Sequence, residues 1–204
     1  MNDFERSLLK YFSKEQMDKI RNTSIGIAGA GGLGSNCAVC LVRSGFAKLS
    51  IYDFDVVEMT NLNRQFYFDD QVGRPKVEAL ASNLKRINPS ADIKGISMVL
   101  TRENVSEAFA SCDAVVEAFD KPDQKKMLAE ALAGSGKFYV SAAGVAGWGK
   151  SDLIVTRSIS PGFHIVGDGT SCVSDSTPPC APRVSIAAAK QADMILEWVL
   201  GENV

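Results

Sequence analysis

A glycine-rich hexapeptide that directly follows an apolar run is the feature that most restricts the fold of this chain. The run is Ser24 to Ala28 (S-I-G-I-A), and the hexapeptide that follows it has the form G-x-G-x-x-G, with its glycines at Gly29, Gly31, Gly32 and Gly34. Such glycines allow a tight turn from a buried strand into a helix, and they let the backbone approach phosphate groups at the helix N-terminus. The pattern predicts a nucleotide-binding α/β fold without specifying the nucleotide.

Strand-like and helix-like segments alternate through roughly the first 140 residues. This alternation predicts a Rossmann-like, doubly wound and mostly parallel sheet with helices on both faces. The predicted strands are 24–28, 48–53, 93–99, 114–119, 138–142, 153–157 and 163–166, and the last two are close enough to form a C-terminal antiparallel hairpin. The predicted helices are an opening segment that ends near Asn22, a helix that follows the glycine-rich turn and ends at Gly45, then 75–87, a short helix from 101, 120–134 and a final helix, 183–200.

Composition narrows the function classes. The 204 residues are 46% hydrophobic and 23% charged, which predicts a single globular domain over residues 1–204. The 22 Lys and Arg residues against 24 Asp and Glu residues give a net charge of −2, so nucleic acid is not expected as the main partner. No signal peptide and no apolar run of the ~18 residues needed for a membrane span is evident, so we expect a cytoplasmic protein without a membrane partner.

An acidic residue and two cations follow the glycine-rich turn. Asp53 ends the second predicted strand, 19 residues beyond Gly34, where its carboxylate can accept hydrogen bonds from ribose hydroxyls. Up to this point a nicotinamide-dependent oxidoreductase fits equally well. Arg64 in T-N-L-N-R-Q and Lys76 in G-R-P-K then favour a triphosphate that is attacked at its α-phosphorus, since developing negative charge needs cations. The alternative for each cation is a solvated surface charge.

The ordered motifs resemble the ThiF/MoeB adenylyltransferases, which are bacterial relatives of the ubiquitin-activating enzymes. The resemblance covers nearly the whole chain. The chain is similar above all to short ThiF-like proteins that activate a ubiquitin-like sulfur carrier of the ThiS type for thiamine biosynthesis. The motifs that carry it are G-A-G-G-L-G-S, D-F-D followed by T-N-L-N-R-Q, G-R-P-K, I-N-P and the strand end Phe119-Asp120.

This resemblance implies an ATP-dependent adenylation. The C-terminal glycine carboxylate of the carrier attacks the α-phosphate of ATP, pyrophosphate leaves, and an acyl-adenylate forms that can accept sulfur. The resemblance places the glycines in the phosphate turn, Asp53 on the ribose and Asp120 on Mg²⁺, and it assigns catalytic roles to Arg64, Lys76 and Asp120. The nucleotide-binding set that it implies also includes Asp55, Asn61 and Gln65.

The resemblance also implies a homodimer. Arg6 in F-E-R-S matches the N-terminal arginine that such proteins insert into the active site of a neighbouring subunit. We expect the segment around Arg6 to extend away from its own sheet. The alternative is a surface charge on the opening helix.

The cysteines depart from the pattern of larger family members, which bind a structural zinc through two C-x-x-C pairs. Here the C-x-x-C pair is Cys37 and Cys40, at helical spacing on an apolar face, and tetrahedral zinc needs two further ligands. We therefore expect packed thiols and no zinc. Cys172 and Cys180 lie in the predicted loop 167–182, and the sequence leaves open whether either takes part in a later transfer step.

Other functions remain as alternatives. MoeB-like activation of a molybdopterin-synthase carrier subunit uses the same chemistry as the ThiS reaction. A nicotinamide-dependent oxidoreductase shares the fold, but His164, the only histidine, lies in a predicted strand and offers no evident proton-transfer partner. A catalytically silent scaffold would be expected to lack Arg64, Lys76 or Asp120, and this chain retains all three.

Overall fold

The computed structural model describes residues 1–201, and within this range seven strands form one sheet in the order β3-β2-β1-β4-β5-β7-β6. Neighbouring strands are parallel except β6 and β7, which form an antiparallel hairpin at one edge. The predicted fold is therefore confirmed. The strands are β1 Ser24–Ala28, β2 Lys48–Asp53, β3 Asp92–Ser97, β4 Ala114–Glu117, β5 Phe138–Ala142, β6 Val155–Ser160 and β7 Phe163–Gly167.

Helices connect these strands. Ser13 begins one of them with a capping box, in which its hydroxyl and the Gln16 side chain exchange hydrogen bonds with each other's backbone N–H. Pro122 begins another at the first helical position, where its missing N–H costs nothing. The helices are α1 Asp3–Leu8, α2 Lys14–Asn22, α3 Gly32–Arg43, α4 Lys76–Ile87, α5 Val105–Ala108, α6 Pro122–Leu132 and α7 Ala181–Leu200.

Several predicted boundaries are wrong. The opening segment contains two helices, α1 and α2, because Ser13 caps a new helix instead of continuing the first. The strand predicted from residue 153 begins at Val155, since a 3₁₀ turn over Ser151–Leu153 follows the left-handed backbone of Lys150. The final helix begins at Ala181, before its predicted start, because Pro182 fits into a first helical turn.

The two faces of the sheet pack against different helices. One face buries Ile25 and Ile27 of β1 against residues of α3, α4 and α7, and the other buries Val115 of β4 against Phe109 and Leu128. At the start of β5, the Phe138 ring contacts both His164 and Trp198, the latter in a stacked geometry with ring centroids 4.9 Å apart. Helices on both faces make the sheet doubly wound, as predicted.

The strand order reverses at β1, because β2 and β3 lie on one side of β1 while β4 and the later strands lie on the other. In open sheets of this kind, ligands bind in the crevice outside the carboxyl ends of the strands at such a switch point. The chain leaves β1 at Ala28 directly into the glycine-rich turn, which therefore lies in this crevice. None of the helices in residues 1–201 combines the length and the apolar character that crossing a membrane requires.

Candidate active site

The glycines of the turn have different structural tasks. Gly29 has a φ of +102°, and a Cβ added there would lie 2.9 Å from the carbonyl oxygen of Ala118. A Cβ on Gly34 would lie 1.8 Å from the carbonyl oxygen of Gly29, so this position cannot hold a side chain. At Gly31 the nearest heavy atom to an added Cβ is Nε2 of Gln65, 3.9 Å away. Gly29 and Gly34 shape the turn, while Gly31 leaves open space through which a phosphate can approach the backbone.

Asn36 ties the start of α3 to the loop that carries Arg64. Its Nδ2 donates to the carbonyl oxygens of Gly32, at 2.7 Å, and Arg64, at 2.8 Å. Gly32 lies against α7, since a Cβ there would come within 2.9 Å of Val184 Cγ1 and 3.5 Å of Arg64 Cγ. The Arg64 segment is therefore held beside the first turn of α3.

Asp53 accepts hydrogen bonds from the backbone on both carboxylate oxygens, from Ala30 N at 2.6 Å and from Asp55 N at 2.9 Å. The hydroxyl of Tyr67 donates to the carbonyl oxygen of Ala30 at 2.7 Å. Burial, and then the nearby Asp53 and Asp55 carboxylates, raise the pKa of Tyr67 far above its ordinary value, so it remains a donor. Each oxygen of Asp53 keeps acceptor capacity, which ribose hydroxyls can use.

The two predicted cations lie on the same side of the crevice as Asp53. Lys76 is buried, and its Nζ lies 2.8 Å from Oδ2 of Asp55. Arg64 is half-buried, and one of its terminal nitrogens donates to Asn63 Oδ1 at 2.7 Å and to the Thr60 carbonyl oxygen at 3.3 Å. Asp55 is therefore paired with a lysine, whereas the family resemblance implied a direct contact with the nucleotide.

Asn61 and Gln65 are both buried. Asn61 Oδ1 accepts from Glu58 N at 3.1 Å, and its carbonyl oxygen accepts from Arg64 N and Gln65 N, so this residue shapes the loop. Oε1 of Gln65 has no hydrogen-bond partner within residues 1–201, and Nε2 of the same side chain faces the space over Gly31. A buried amide without a partner fits a site that a polar ligand completes.

Asp120 lies across the crevice from these groups, exposed and three residues beyond the end of β4. Residues 1–201 contain no cluster of three or more His, Cys, Asp or Glu side chains that could hold a metal ion. Mg²⁺ in nucleotide sites commonly binds one or two carboxylates together with substrate phosphates and waters, so a single aspartate fits it.

Arg6 lies near the amino ends of the strands, at the end of the sheet opposite to the crevice. The side chains of Asn2 and Glu5 bond to Asn88 and Ser90, which precede the amino end of β3, and these bonds fasten α1 there. The expectation that this segment extends away from its own sheet is therefore wrong. The exposed guanidinium of Arg6 pairs with Asp3, and a strand length of roughly 17–20 Å separates it from the carboxyl edge of its own sheet.

The sequence matches the ThiF family over residues 4–203. The chain belongs to the ThiF family. Its family membership, which the motifs predicted, is confirmed.

Curated relatives of this ThiF-family chain differ in their named substrates. The sulfur carrier protein ThiS adenylyltransferase of Bacillus subtilis is 31% identical over 193 residues, which is 91% of this chain and 56% of that protein. The tRNA threonylcarbamoyladenosine dehydratase of the same organism is 33% identical over 122 residues, which is 59% of this chain and 48% of that protein. This chain spans about half the length of these two relatives.

A solved structure confirms the fold. The Escherichia coli tRNA N6-threonylcarbamoyladenosine dehydratase TcdA, crystallised in complex with ATP, superposes on this ThiF-family chain with a TM-score of 0.87. The sequence identity is 20%, and the superposition covers 96% of this chain and 93% of that one.

Two loops of the ThiF-family chain meet beyond the carboxyl ends of β5 and β7. Gly147 N donates to the Pro178 carbonyl oxygen at 2.9 Å, which joins the loop after β5 to the loop that carries the exposed Cys172 and the half-buried Cys180. Trp148, on the first of these loops, is 69% exposed.

The other conspicuous cysteine pair lies inside α3. Cys37 is fully buried and Cys40 is partly buried. Burial raises the pKa of both thiols, which suits packed thiols more than metal-binding thiolates.

A buried ion pair that the sequence motifs did not predict anchors these loops. Asp168, directly after β7, pairs with Arg183 in the first turn of α7, and both side chains are almost fully buried. Arg183 also donates to the carbonyl oxygen of Gly149 at 2.7 Å. Burial opposes ionisation of Asp168, but hydrogen bonds from Ser171 and Thr170 outweigh it and lower its pKa to about 2. An acidic residue just past a strand, followed by an Arg at a helix start, was the only signal in the sequence.

Proposed function

We propose that this ThiF-family chain adenylates the C-terminal glycine carboxylate of a ubiquitin-like sulfur carrier protein of the ThiS type, with ATP as co-substrate and pyrophosphate as product. One observation carries the proposal. Asp53 bonds to the backbone of the glycine-rich turn and of Asp55, Asp55 pairs with Lys76, and Asn36 holds the Arg64 segment beside the same turn, at one side of the switch-point crevice. The ThiS adenylyltransferase relative, which aligns with 91% of this chain, supports it.

The proposed nucleotide position follows from the turn. The triphosphate lies over Gly31, where the backbone is open and the positive end of α3 favours an anion. The ribose hydroxyls bond to Asp53, whose carboxylate the backbone of Ala30 holds in place. The Gln65 amide, with an unused acceptor and a donor that faces Gly31, offers a further polar contact to the nucleotide.

The chemistry requires two anions to meet. A carboxylate oxygen of the carrier forms a bond to the α-phosphorus, the bond from that phosphorus to the pyrophosphate oxygen breaks, and the electron pair leaves with pyrophosphate. No general base is needed because the nucleophile is already a carboxylate. Arg64 and Lys76 reduce the repulsion and stabilise charge that grows on the phosphate oxygens. Their positions are fixed before the substrate arrives, since Asp55 and Asn63 hold them.

Asp120 would hold Mg²⁺ in this scheme. The ion, when bound with ATP, would neutralise charge on the pyrophosphate that leaves. The exposed position of Asp120 at the crevice leaves it accessible to a metal ion that arrives with the nucleotide.

We also propose a homodimer in which Arg6 acts on the partner's site. The support is geometric, because α1 is fastened at the amino edge of its own sheet and cannot bring Arg6 to its own carboxyl edge. A guanidinium suits a polyphosphate through paired hydrogen bonds.

The end product is proposed to be thiamine, and a molybdopterin-synthase carrier is the alternative that uses the same site. A second candidate substrate is the threonylcarbamoyl group of a tRNA nucleoside, which the similarity to the dehydratase favours. The net charge of −2 disfavours it, because tRNA binding draws on cationic surface.

The deciding experiment is carrier-dependent exchange of labelled pyrophosphate into ATP. We expect exchange with a ThiS-type carrier and none with the same carrier lacking its terminal glycine. Parallel reactions contain a carrier of the molybdopterin-synthase type and threonylcarbamoyladenosine-containing tRNA. Exchange with the second carrier alone would replace the thiamine assignment, and ATP consumption with tRNA alone would overturn the carrier assignment.

A further inference from the structure

An ion pair with a fully buried carboxylate lies at the carboxyl ends of β4 and β5, outside the residues that the proposed function uses. Glu117, the last residue of β4, has no exposed surface. Nζ of Lys125, in the first half of α6, lies 3.0 and 3.1 Å from its two carboxylate oxygens. The Lys125 side chain stays 25% exposed, whereas the Glu117 carboxylate is removed from water, which is costly and which an apolar residue would avoid. Stability alone therefore does not account for a carboxylate at position 117.

The carboxylate of Glu117 has two further donors. The backbone N–H of Phe119 donates to Oε1 at 2.6 Å, and the hydroxyl of Ser141 on β5 donates to Oε2 at 2.5 Å. Lys125 makes its third hydrogen bond to the carbonyl oxygen of Ala142, at 2.9 Å. The carboxylate thus holds together the end of β4, the end of β5 and α6.

The pair acts on the site through the backbone. All three N–H donors of Lys125 are used by Glu117 and Ala142, so its ammonium has no donor left for a ligand. The bond from Phe119 N to the side chain two residues before it closes a tight turn as the chain leaves β4. Asp120 is the next residue, and its backbone position is therefore fixed by Glu117.

We propose that Glu117 is a positioning residue, whose buried carboxylate holds the Phe119-Asp120 segment in the geometry in which Asp120 meets magnesium bound to ATP. This inference rests on the proposed role of Asp120. Hydrogen-bond partners that orient a metal-binding carboxylate typically contribute about 10- to 100-fold in metal affinity. Glu117 acts one residue away through the backbone, so its effect belongs at the lower end of this range.

The test is equilibrium binding of ATP by calorimetry, in excess Mg²⁺ and in EDTA, for the full chain. The ratio of the Kd in EDTA to the Kd in Mg²⁺ measures how much magnesium tightens the binding of ATP. In the double variant Glu117→Met, Lys125→Met, which removes both charges and the acceptor of the Phe119 N–H, we expect this ratio to fall about tenfold while the Kd in EDTA stays unchanged. Unchanged Kd in EDTA and a Tm close to that of the wild type show that the fold and the phosphate turn are intact.

The matched control is Glu130→Met, Lys126→Met, which makes the same charge changes with both residues on α6, the helix of Lys125. Lys126 and Glu130 form an exposed pair, with 3.8 Å between nitrogen and oxygen. We expect the wild-type ratio from this control. If the first double variant does not fold, Glu117→Ala, Lys125→Met replaces it, because alanine also removes the acceptor of the Phe119 N–H and adds no atoms to the interior.

The outcomes separate this inference from the proposed function. A wild-type ratio in a folded Glu117 variant overturns the inference. If Asp120→Asn loses the magnesium effect while the Glu117 variants keep it, Asp120 holds the metal and only the positioning role falls. If the wild type itself shows no magnesium effect, or Asp120→Asn keeps it, the proposed metal site and the inference fall together.

Discussion

The ammonium of Lys76 lies 2.8 Å from a carboxylate oxygen of Asp55, and the backbone N–H of Lys76 donates to the Asp55 carbonyl oxygen at 2.9 Å. Two bonds between the same residues hold the start of α4 against the loop after β2. A buried lysine that is held in this way loses little side-chain freedom when an anion binds. Preorganised charge of this kind stabilises a transition state more than a mobile surface lysine does.

We expect Lys76→Ala and Asp120→Ala each to lower carrier-dependent pyrophosphate exchange by about 10²-fold or more, because each removes a group that stabilises charge in the transition state. Lys85→Ala, at an exposed position on the same helix as Lys76, is the control and should exchange like the wild type. Undiminished exchange in both site variants would refute the assignment.

Of two alanine substitutions in the glycine-rich turn, one should leave folding intact and the other should disrupt it. Gly31→Ala has room for its methyl group, so we expect a folded protein with a near-native Tm whose Kd for ATP rises at least tenfold, since the methyl group occupies the space proposed for phosphate. Gly34→Ala meets the Gly29 carbonyl oxygen, so we expect failure to fold or a large loss of Tm. Calorimetry of both variants checks this, and wild-type ATP affinity in Gly31→Ala would move the phosphates elsewhere.

Cysteine is not needed for adenylation, since a carboxylate attacks ATP directly. Pyrophosphate exchange should therefore be within about twofold of the wild type in Cys172→Ser and Cys180→Ser, a small change against the losses expected for the charged site residues. Sulfur transfer to the carrier, measured separately, can decrease in either variant. Collapse of exchange in a folded variant would reveal a role for the loop in the first step.

Arg6→Ala and Lys76→Ala should complement each other if Arg6 acts on the partner's site. Each variant alone should be nearly inactive. After random subunit exchange about half of the dimers are mixed, and each mixed dimer has one intact site of two, so roughly a quarter of wild-type exchange activity should return. Absence of recovery, with subunit exchange demonstrated by mass spectrometry, would exclude Arg6 from the partner's site.

Asp168 makes the free energy of unfolding depend on pH in the acidic range. Its pKa is lowered to about 2 in the folded protein from an ordinary value of 3.8, so it stabilises the fold above pH ~4, and this contribution of about 2 kcal/mol is lost as the pH falls towards 2. Asp168→Asn removes this contribution. We expect the difference in Tm between wild type and variant to be largest near pH 6 and to shrink below pH 4. A difference that stays constant across this range would show that the carboxylate is not stabilised in its charged form.

Local sequence signals were sufficient for much of the fold. β1, β2 and β5 have the predicted bounds, because apolar runs between turn signals are typical of buried strands in a parallel sheet. The helix predicted from residue 101 covers only Val105–Ala108, since capping signals do not specify how far a helix continues.

The site was predictable only where its residues belong to continuous motifs. Gly31, Asp53 and Lys76 were found in this way, and the structure links them through neighbouring contacts. Glu117 and Ser141 come from different strands, and no spacing rule shows which buried charge meets which partner. A single charge at the end of the apolar run A-V-V-E was the available signal.

The stacking of Trp198 on Phe138 provides a spectroscopic consequence. The chain has two tryptophans; Trp198 lies at the amino end of β5, whereas the exposed Trp148 follows the carboxyl end of the same strand. The fluorescence of each indole therefore reports on a different end of the strands. In Trp198→Phe the remaining fluorescence follows events at the crevice loops, and in Trp148→Phe it follows the packing of α7, so one instrument can time ligand arrival and unfolding independently.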